Sequence, residues 1–226
     1  MSWLGSVRDL ALDWSYAAYW ETRHFLTPGR IGRYRNGPLP AVLLLPGVYE
    51  TWEFLRPVAD RLNALGHPIH VVPKFGYNRG SIPSMAALAQ RYVDSHDLTG
   101  VIIVAHSKGG LIGKHMMVLD DRAGRIARMV AVNTPFGGSP YAKWALRRTL
   151  REFLPTDVTL AALTADLVAN SRIASVYSSL DPVIPGGSEL EGAMNVRLPL
   201  VGHFRVLSLP ALLDTIEDLI THPPGR

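Results

Sequence analysis

The chain has 226 residues, 47% hydrophobic and 19% charged, with a formal net charge of +4. That length can bury one sizeable core, and no apolar run reaches the roughly eighteen residues of a membrane span. The absence of cysteine excludes disulfides, a thiol nucleophile and thiolate metal sites, and the mild, dispersed positive charge argues against dedicated nucleic-acid binding.

Residues 3–25 form an amphipathic stretch in which Trp3, Val7, Leu10, Trp14, Ala17 and Ala18 recur at helical spacing. It is unusually aromatic (Trp14, Tyr16, Tyr19, Trp20). Two readings are open: a helix docked on the body of the domain, which is the expectation, or an interfacial helix making peripheral contact with a membrane. Asp9 and Asp13 interrupt the one apolar segment that could act as a secretory leader, so the chain is expected to be cytoplasmic. A linker rich in Gly, Pro and Arg occupies residues 27–40, so that residues 1–40 read as helix plus linker and 41–226 as one domain.

From there strand and helix alternate. Apolar runs at 41–45, 69–72, 101–104, 127–132, 173–178 and 194–198 read as strands. Between them Leu55, Val58, Ala59, Leu62 and Leu65 mark one helix. Ser84 is expected to cap another, which carries Met85, Leu88, Ala89, Tyr92 and Val93. Leu209, Leu212, Leu213, Ile216, Leu219 and Ile220 mark a last helix. Short all-apolar strands alternating with helices imply a parallel sheet covered on both faces. Residues 138–170 break the rhythm as a cap-like insertion with expected helices at 141–153 and 158–168; Lys143, Arg147, Arg148 and Arg151 share one side of the first.

The segment Val101-Ile102-Ile103-Val104-Ala105-His106-Ser107-Lys108-Gly109-Gly110 carries the chemistry. A buried strand stops at a serine flanked by small residues, and an amphipathic helical pattern follows. This is the form of a nucleophile elbow, which holds a serine hydroxyl at the tip of a strained turn. A serine needs a base, and the base needs an orienting carboxylate. With the order Ser, then acid, then His, the bases that follow Ser107 are His115, His203 and His222. His115 lies on the elbow helix pointing away and His222 sits in a Pro-Pro-Gly tail, which leaves His203 on the loop after the last strand. Asp181 follows a strand inside a proline-fixed turn, with Glu189 and Glu191 as the fallback acids. Oxyanion donors are expected from the backbone N–H of Lys108 and of Val48, in the loop Pro46-Gly47-Val48-Tyr49. The Lys108 side chain is expected at the surface.

A phosphate loop is excluded, because three residues rather than four separate Gly109 from Gly113 and His115 follows Lys114. No dinucleotide fingerprint or two-histidine zinc spacing appears, so neither cofactor nor metal is expected.

From residue 41 to about residue 220 the chain resembles the α/β-hydrolase superfamily, and within it small bacterial lipases and esterases. Ala105-His106-Ser107-Lys108-Gly109-Gly110 is similar to the lipase elbow. Asn133-Thr134-Pro135-Phe136-Gly137-Gly138-Ser139 resembles the lipase Thr-Pro-His-x-Gly-Ser segment. Asp181-Pro182-Val183-Ile184-Pro185 and Gly202-His203-Phe204 resemble the acid and histidine loops. Two departures stand out: Pro46-Gly47 replaces the common His-Gly, and Phe136 replaces a histidine. The resemblance implies a compact α/β-hydrolase fold of about six mostly parallel strands, with helices on both faces and a small cap. It also implies a serine ester hydrolase acting on small-molecule esters or lipids. Val48, Tyr49, Phe136, Val183 and Phe204 near the mouth suggest an apolar acyl chain. An acyltransferase with the same elbow and a non-catalytic binding protein on the same scaffold remain as alternatives, and the sequence carries no signal for oligomeric state.

Overall fold

The computed structural model describes residues 3–26, 29–144 and 151–222. Its centre is a six-stranded sheet in the order β2-β1-β3-β4-β5-β6, with every neighbouring pair parallel. The strands are β1 (Val42–Leu45), β2 (Ile69–Val71), β3 (Val101–His106), β4 (Ile126–Val132), β5 (Ile173–Leu180) and β6 (Met194–Val201). The apolar runs form strands because their side chains alternate between two cores. Leu43, Leu45, Ile103, Ala105, Met129 and Ala131 point to one core, and Val42, Leu44, Ile102, Val104, Val130 and Val132 to the other.

The first core is closed by α3 (Ile82–Ser95) and α4 (Lys108–His115), which continues into a π-helical turn at Met116–Asp120. The second is closed by α1 (Trp3–Leu26), α2 (Arg56–Ala64) and the last helix, α7 (Pro210–Thr221). α1 is docked: Trp20 is buried among the second-core residues, and Tyr16 donates from its hydroxyl to the Phe54 carbonyl at 2.8 Å. Its outer side leaves Trp14, Tyr19, Phe25 and Leu26 exposed. No helix among the described residues is long and apolar enough to cross a membrane.

Two expectations need correction. The cap of α3 is Ser81 rather than Ser84: the Ser84 N–H donates to the Ser81 hydroxyl, because Pro83 fits the first helical turn, where no N–H is needed. The stretch 158–168 is two helices, α5 (Val158–Ala165) and α6 (Leu167–Asn170). Asp166 leaves helical geometry between them and caps the second by accepting the Ala169 N–H at 2.8 Å. Of the expected helix at 141–153, Pro140–Trp144 is a 3₁₀ turn and residue 151 is helical; residues 145–150, with Arg147 and Arg148, lie outside the described residues.

The strand order reverses between β1 and β3, and ligand crevices in open α/β sheets form at the carboxyl ends of strands at such a point. β1 runs into Pro46-Gly47-Val48, and β3 into Ser107. β5 and β6 end at Leu180 and Val201, so Asp181 and His203 start the loops at the same edge.

His70 on β2 is buried against the Tyr92 hydroxyl at 3.2 Å. Burial, with the positive charges of Arg35 and His96, lowers its pKa from 6.5 to about 4. The fold therefore holds it neutral where the unfolded chain protonates. Its contribution is full above pH 6.5 and is lost as pH falls toward about 4, a loss of order 1–2 kcal/mol after screening. Urea unfolding of wild type and His70→Gln across this range should show the variant losing less stability on acidification.

Candidate active site

Ser107 has φ 51° and ψ −123°, outside the regions that L-residues ordinarily occupy. The turn is forced by how closely α4 starts above β1. A Cβ on Gly109 would overlap the Leu45 carbonyl oxygen, and one on Gly110 would overlap the Thr134 side chain. Both positions need glycine for room rather than for an unusual dihedral. Ala105, two residues before the serine, is fully buried.

Asp181 and His203 meet: His203 Nδ1 lies 2.7 Å from Asp181 Oδ2, both side chains almost completely buried. The other carboxylate oxygen accepts the Val183 and Ile184 N–H groups at 2.8 and 3.1 Å. This Asx-type turn, with Pro182 at its corner, fixes the acid before it meets the base. Facing a carboxylate, Nδ1 carries the ring proton, which leaves the Nε2 lone pair free to accept one. The ring of His106, the residue before Ser107, lies with its centroid 4.7 Å from that of His203. The Ser107 hydroxyl makes no hydrogen bond among the described residues. Nucleophile–base bonds are often long before substrate arrives.

A second buried acid underlies the loop after β1. Glu50 Oε2 accepts the Gly47 N–H at 2.8 Å and faces His106 Nδ1 at 2.9 Å, while His106 Nε2 faces the His203 carbonyl at 2.9 Å. A carbonyl accepts only, so Nε2 carries a proton. The other contact then needs a proton on Nδ1 or on Glu50. Burial opposes charging His106 and Glu50 favours it; the balance raises its pKa above the ordinary histidine value. The pair joins three loops: Gly47 after β1, the elbow after β3 and the His203 loop after β6. Asn133, at φ 45° after β4, adds a donor to the His203 carbonyl at 3.2 Å and accepts the Ser178 N–H at 2.9 Å. From α1, Asp13 accepts the backbone N–H groups of His203, Phe204 and Arg205.

The Lys108 side chain, expected at the surface, is fully buried. Its ammonium donates to the carbonyls of Asn78 (3.1 Å) and Gly80, and Asn78 donates to the Pro46 carbonyl at 2.7 Å. Burial lowers its pKa to about 8, with the Glu152 charge acting the other way. The side chain thus ties the 78–80 segment to the elbow. The backbone N–H groups of Val48 and Lys108 have no hydrogen-bond acceptor among the described residues.

Beside Ser107 lies a cavity of about 240 Å³. Its walls are mostly apolar: Val48, Tyr141, Ala142, Phe153, Val183 and Ile184. Ser139, Tyr141, Ala142 and Phe153 of the insertion therefore form part of its wall. Of the other side chains expected near the mouth, Phe136 is buried in the first core against the Lys114 ammonium. Phe204 packs on Trp14 and Phe54, and Tyr49 lies beside Arg79. Glu189 accepts the Tyr177 hydroxyl at 2.8 Å, while Asp181 holds His203 Nδ1. No cluster of metal-ligating side chains occurs among the described residues.

Glu50 went unread in the sequence, and Asn133 and Asp13 were read there only as the start of the Thr-Pro segment and as a break in an apolar run, not for these contacts. The one local signal is Asn133 directly after an apolar strand, since asparagine tolerates positive φ. Glu50→Ala should destabilise the protein by about 3–5 kcal/mol in urea unfolding, because it strands one member of a buried pair. Glu50→Gln should cost under about 1.5 kcal/mol, since an amide can accept from Gly47 and donate to a neutral His106.

No family model matches the chain, and no curated protein matches it in sequence. Solved structures do. The mature form of the Bacillus licheniformis lipase BlEst2 superposes with a TM-score of 0.64 at 12% identity, over 80% of this chain and 91% of that one. Its propeptide form gives 0.65 at 11% identity over 82% of this chain, which spans only 51% of that longer form. A structure from the metagenome-derived lipolytic pair LipS and LipT gives 0.62 at 13% identity, over 83% and 96% of the two chains. Mouse alpha/beta hydrolase domain-containing protein 10 gives 0.59 at 14% identity, over 82% and 91%. These superpositions, with the all-parallel sheet and the strand–turn–helix at Ser107, establish that the chain has the α/β-hydrolase fold.

Proposed function

We propose that the protein is a serine hydrolase that cleaves carboxylic esters with a short or medium apolar acyl chain. The Ser107 hydroxyl attacks the acyl carbon while His203 Nε2 takes its proton. Asp181 holds the Nδ1–H tautomer and stabilises the imidazolium. The backbone N–H groups of Val48 and Lys108 receive the developing oxyanion. As the tetrahedral adduct collapses, His203 returns the proton to the departing alcohol, leaving an acyl-serine. Water gives a proton to His203 and attacks that acyl group; the bond from the acyl carbon to Ser107 Oγ then breaks as His203 returns the proton to Oγ, and the carboxylic acid leaves.

The observation that carries the reading is the buried Asp181–His203 contact at 2.7 Å, on loops beside a serine held at φ 51°. The Val48 and Lys108 N–H groups have no acceptor among the described residues, Val48 lines the same cavity as Ser107, and the apolar walls of that cavity support an acyl rather than a charged substrate. Lipases and lipolytic enzymes among the structural neighbours agree with this chemistry.

A fluorophosphonate probe should label the wild-type protein and fail to label Ser107→Ala; equal labelling of both would overturn the assignment. Asp181→Asn should keep the fold, by circular dichroism, and lose about 10⁴-fold in kcat through the wrong tautomer. Among nitrophenyl esters, butyrate to octanoate should be cleaved faster than palmitate, matching the cavity of about 240 Å³.

A further inference from the structure

His203 is fixed at nearly every polar atom. Its side-chain Nδ1 meets Asp181, and its carbonyl accepts from His106 and Asn133. Its backbone N–H donates to Asp13 Oδ2 at 2.9 Å. The other oxygen, Oδ1, accepts the N–H groups of Phe204 and Arg205 at 2.8 and 2.7 Å. Only Nε2 remains for chemistry. We propose that Asp13 is a positioning residue for His203, which makes α1 part of the catalytic machinery rather than a helix merely packed on it. The proposal rests on the serine-hydrolase reading above.

Two observations separate this contact from ordinary docking. Asp13 is completely buried, and it accepts three backbone N–H groups. Burying a carboxylate is costly unless charge-assisted bonds offset it, so simple attachment of a helix is better served by an apolar side chain such as Trp20. The chain is also shaped around the carboxylate. A Cβ on Gly202 would come within 2.5 Å of Asp13 Oδ1, and Gly202 stands at φ 117°, so the residue before the base must be glycine. Small displacements of a base matter: an error of about 1 Å costs on the order of 10²-fold in rate.

The test is the steady-state hydrolysis of nitrophenyl butyrate by full-length Asp13→Asn, with fluorophosphonate labelling of Ser107 and melting temperature measured in parallel. An asparagine can keep the Phe204 and Arg205 bonds on its oxygen but turns its NH₂ toward the His203 N–H. The expected result is a fall in kcat of about 10- to 100-fold with KM unchanged, and slower labelling in proportion. Leu219→Ala, which opens the second core on α7 without touching α1 or the loop, should lower the melting temperature and leave kcat per folded molecule unchanged. A folded Asp13→Asn with wild-type kcat overturns the proposal. So does a parallel loss of kcat and melting temperature in Asp13→Asn and Leu219→Ala, which would make the contact one of stability alone. If Asp13→Asn does not fold, Gly202→Ala displaces the same carboxylate from its other side; the same loss of kcat supports the proposal and full kcat overturns it. A wild-type protein that neither hydrolyses the ester nor takes the label overturns the hydrolase reading as well, an outcome distinct from an active parent with an unaffected variant.

Discussion

The close approach of α4 to β1 is the constraint on which the molecule is organised. It places Ser107 at the point where strand order reverses, in a backbone state that costs about 1–3 kcal/mol and persists only when its surroundings over-determine it. They do so on every side. Leu45 and Thr134 leave room only for hydrogen at positions 109 and 110. The buried strands on either side of β3 fix the approach from below, and the Lys108 ammonium ties the first turn of α4 to the 78–80 segment. Strain in the turn is therefore carried by packing of the whole sheet edge rather than by any one bond.

Around that turn the protein places charge where an apolar interior would seem to forbid it. Asp13, Glu50 and Asp181 are buried carboxylates, and each accepts at least one backbone N–H from a loop at the carboxyl edge of the sheet. A carboxylate that collects N–H groups does what a strand cannot at its end: it satisfies loop donors that have no ladder partner. The glycines follow from this. Gly47 lies under Glu50 and Gly202 under Asp13, each so close that a Cβ would come within 2.5 Å of a carboxylate oxygen. Glycines that look like tokens of flexibility in the sequence are instead the places where an acid is pressed against the chain.

Much of this was legible from residues alone. Strand positions followed from apolar runs, since a sheet covered on both faces needs side chains that are apolar in both directions. The elbow followed from small residues around one serine. Chain order and position at strand ends singled out Asp181 and His203, which the structure brings to 2.7 Å of each other. Asp13 and Glu50 were not legible, because nothing in local spacing says that a lone acid will find N–H groups far along the chain. The burial of Lys108 was hidden for the same reason: its partners are carbonyls of a loop about thirty residues earlier, which any lysine near them could use. At Ser81 and Asp166 the miss was local, a competition between neighbouring caps decided by where proline and the aspartate side chain could sit.

The bond between Asp13 and the His203 N–H spans 190 residues. Contacts of such separation form late, after the entropy of closing the intervening chain has been met by other interactions. The sheet, built from neighbouring strands, can therefore assemble while the histidine loop is still loose. The seating of α1 over that loop then comes late, joining two segments that lie far apart along the chain.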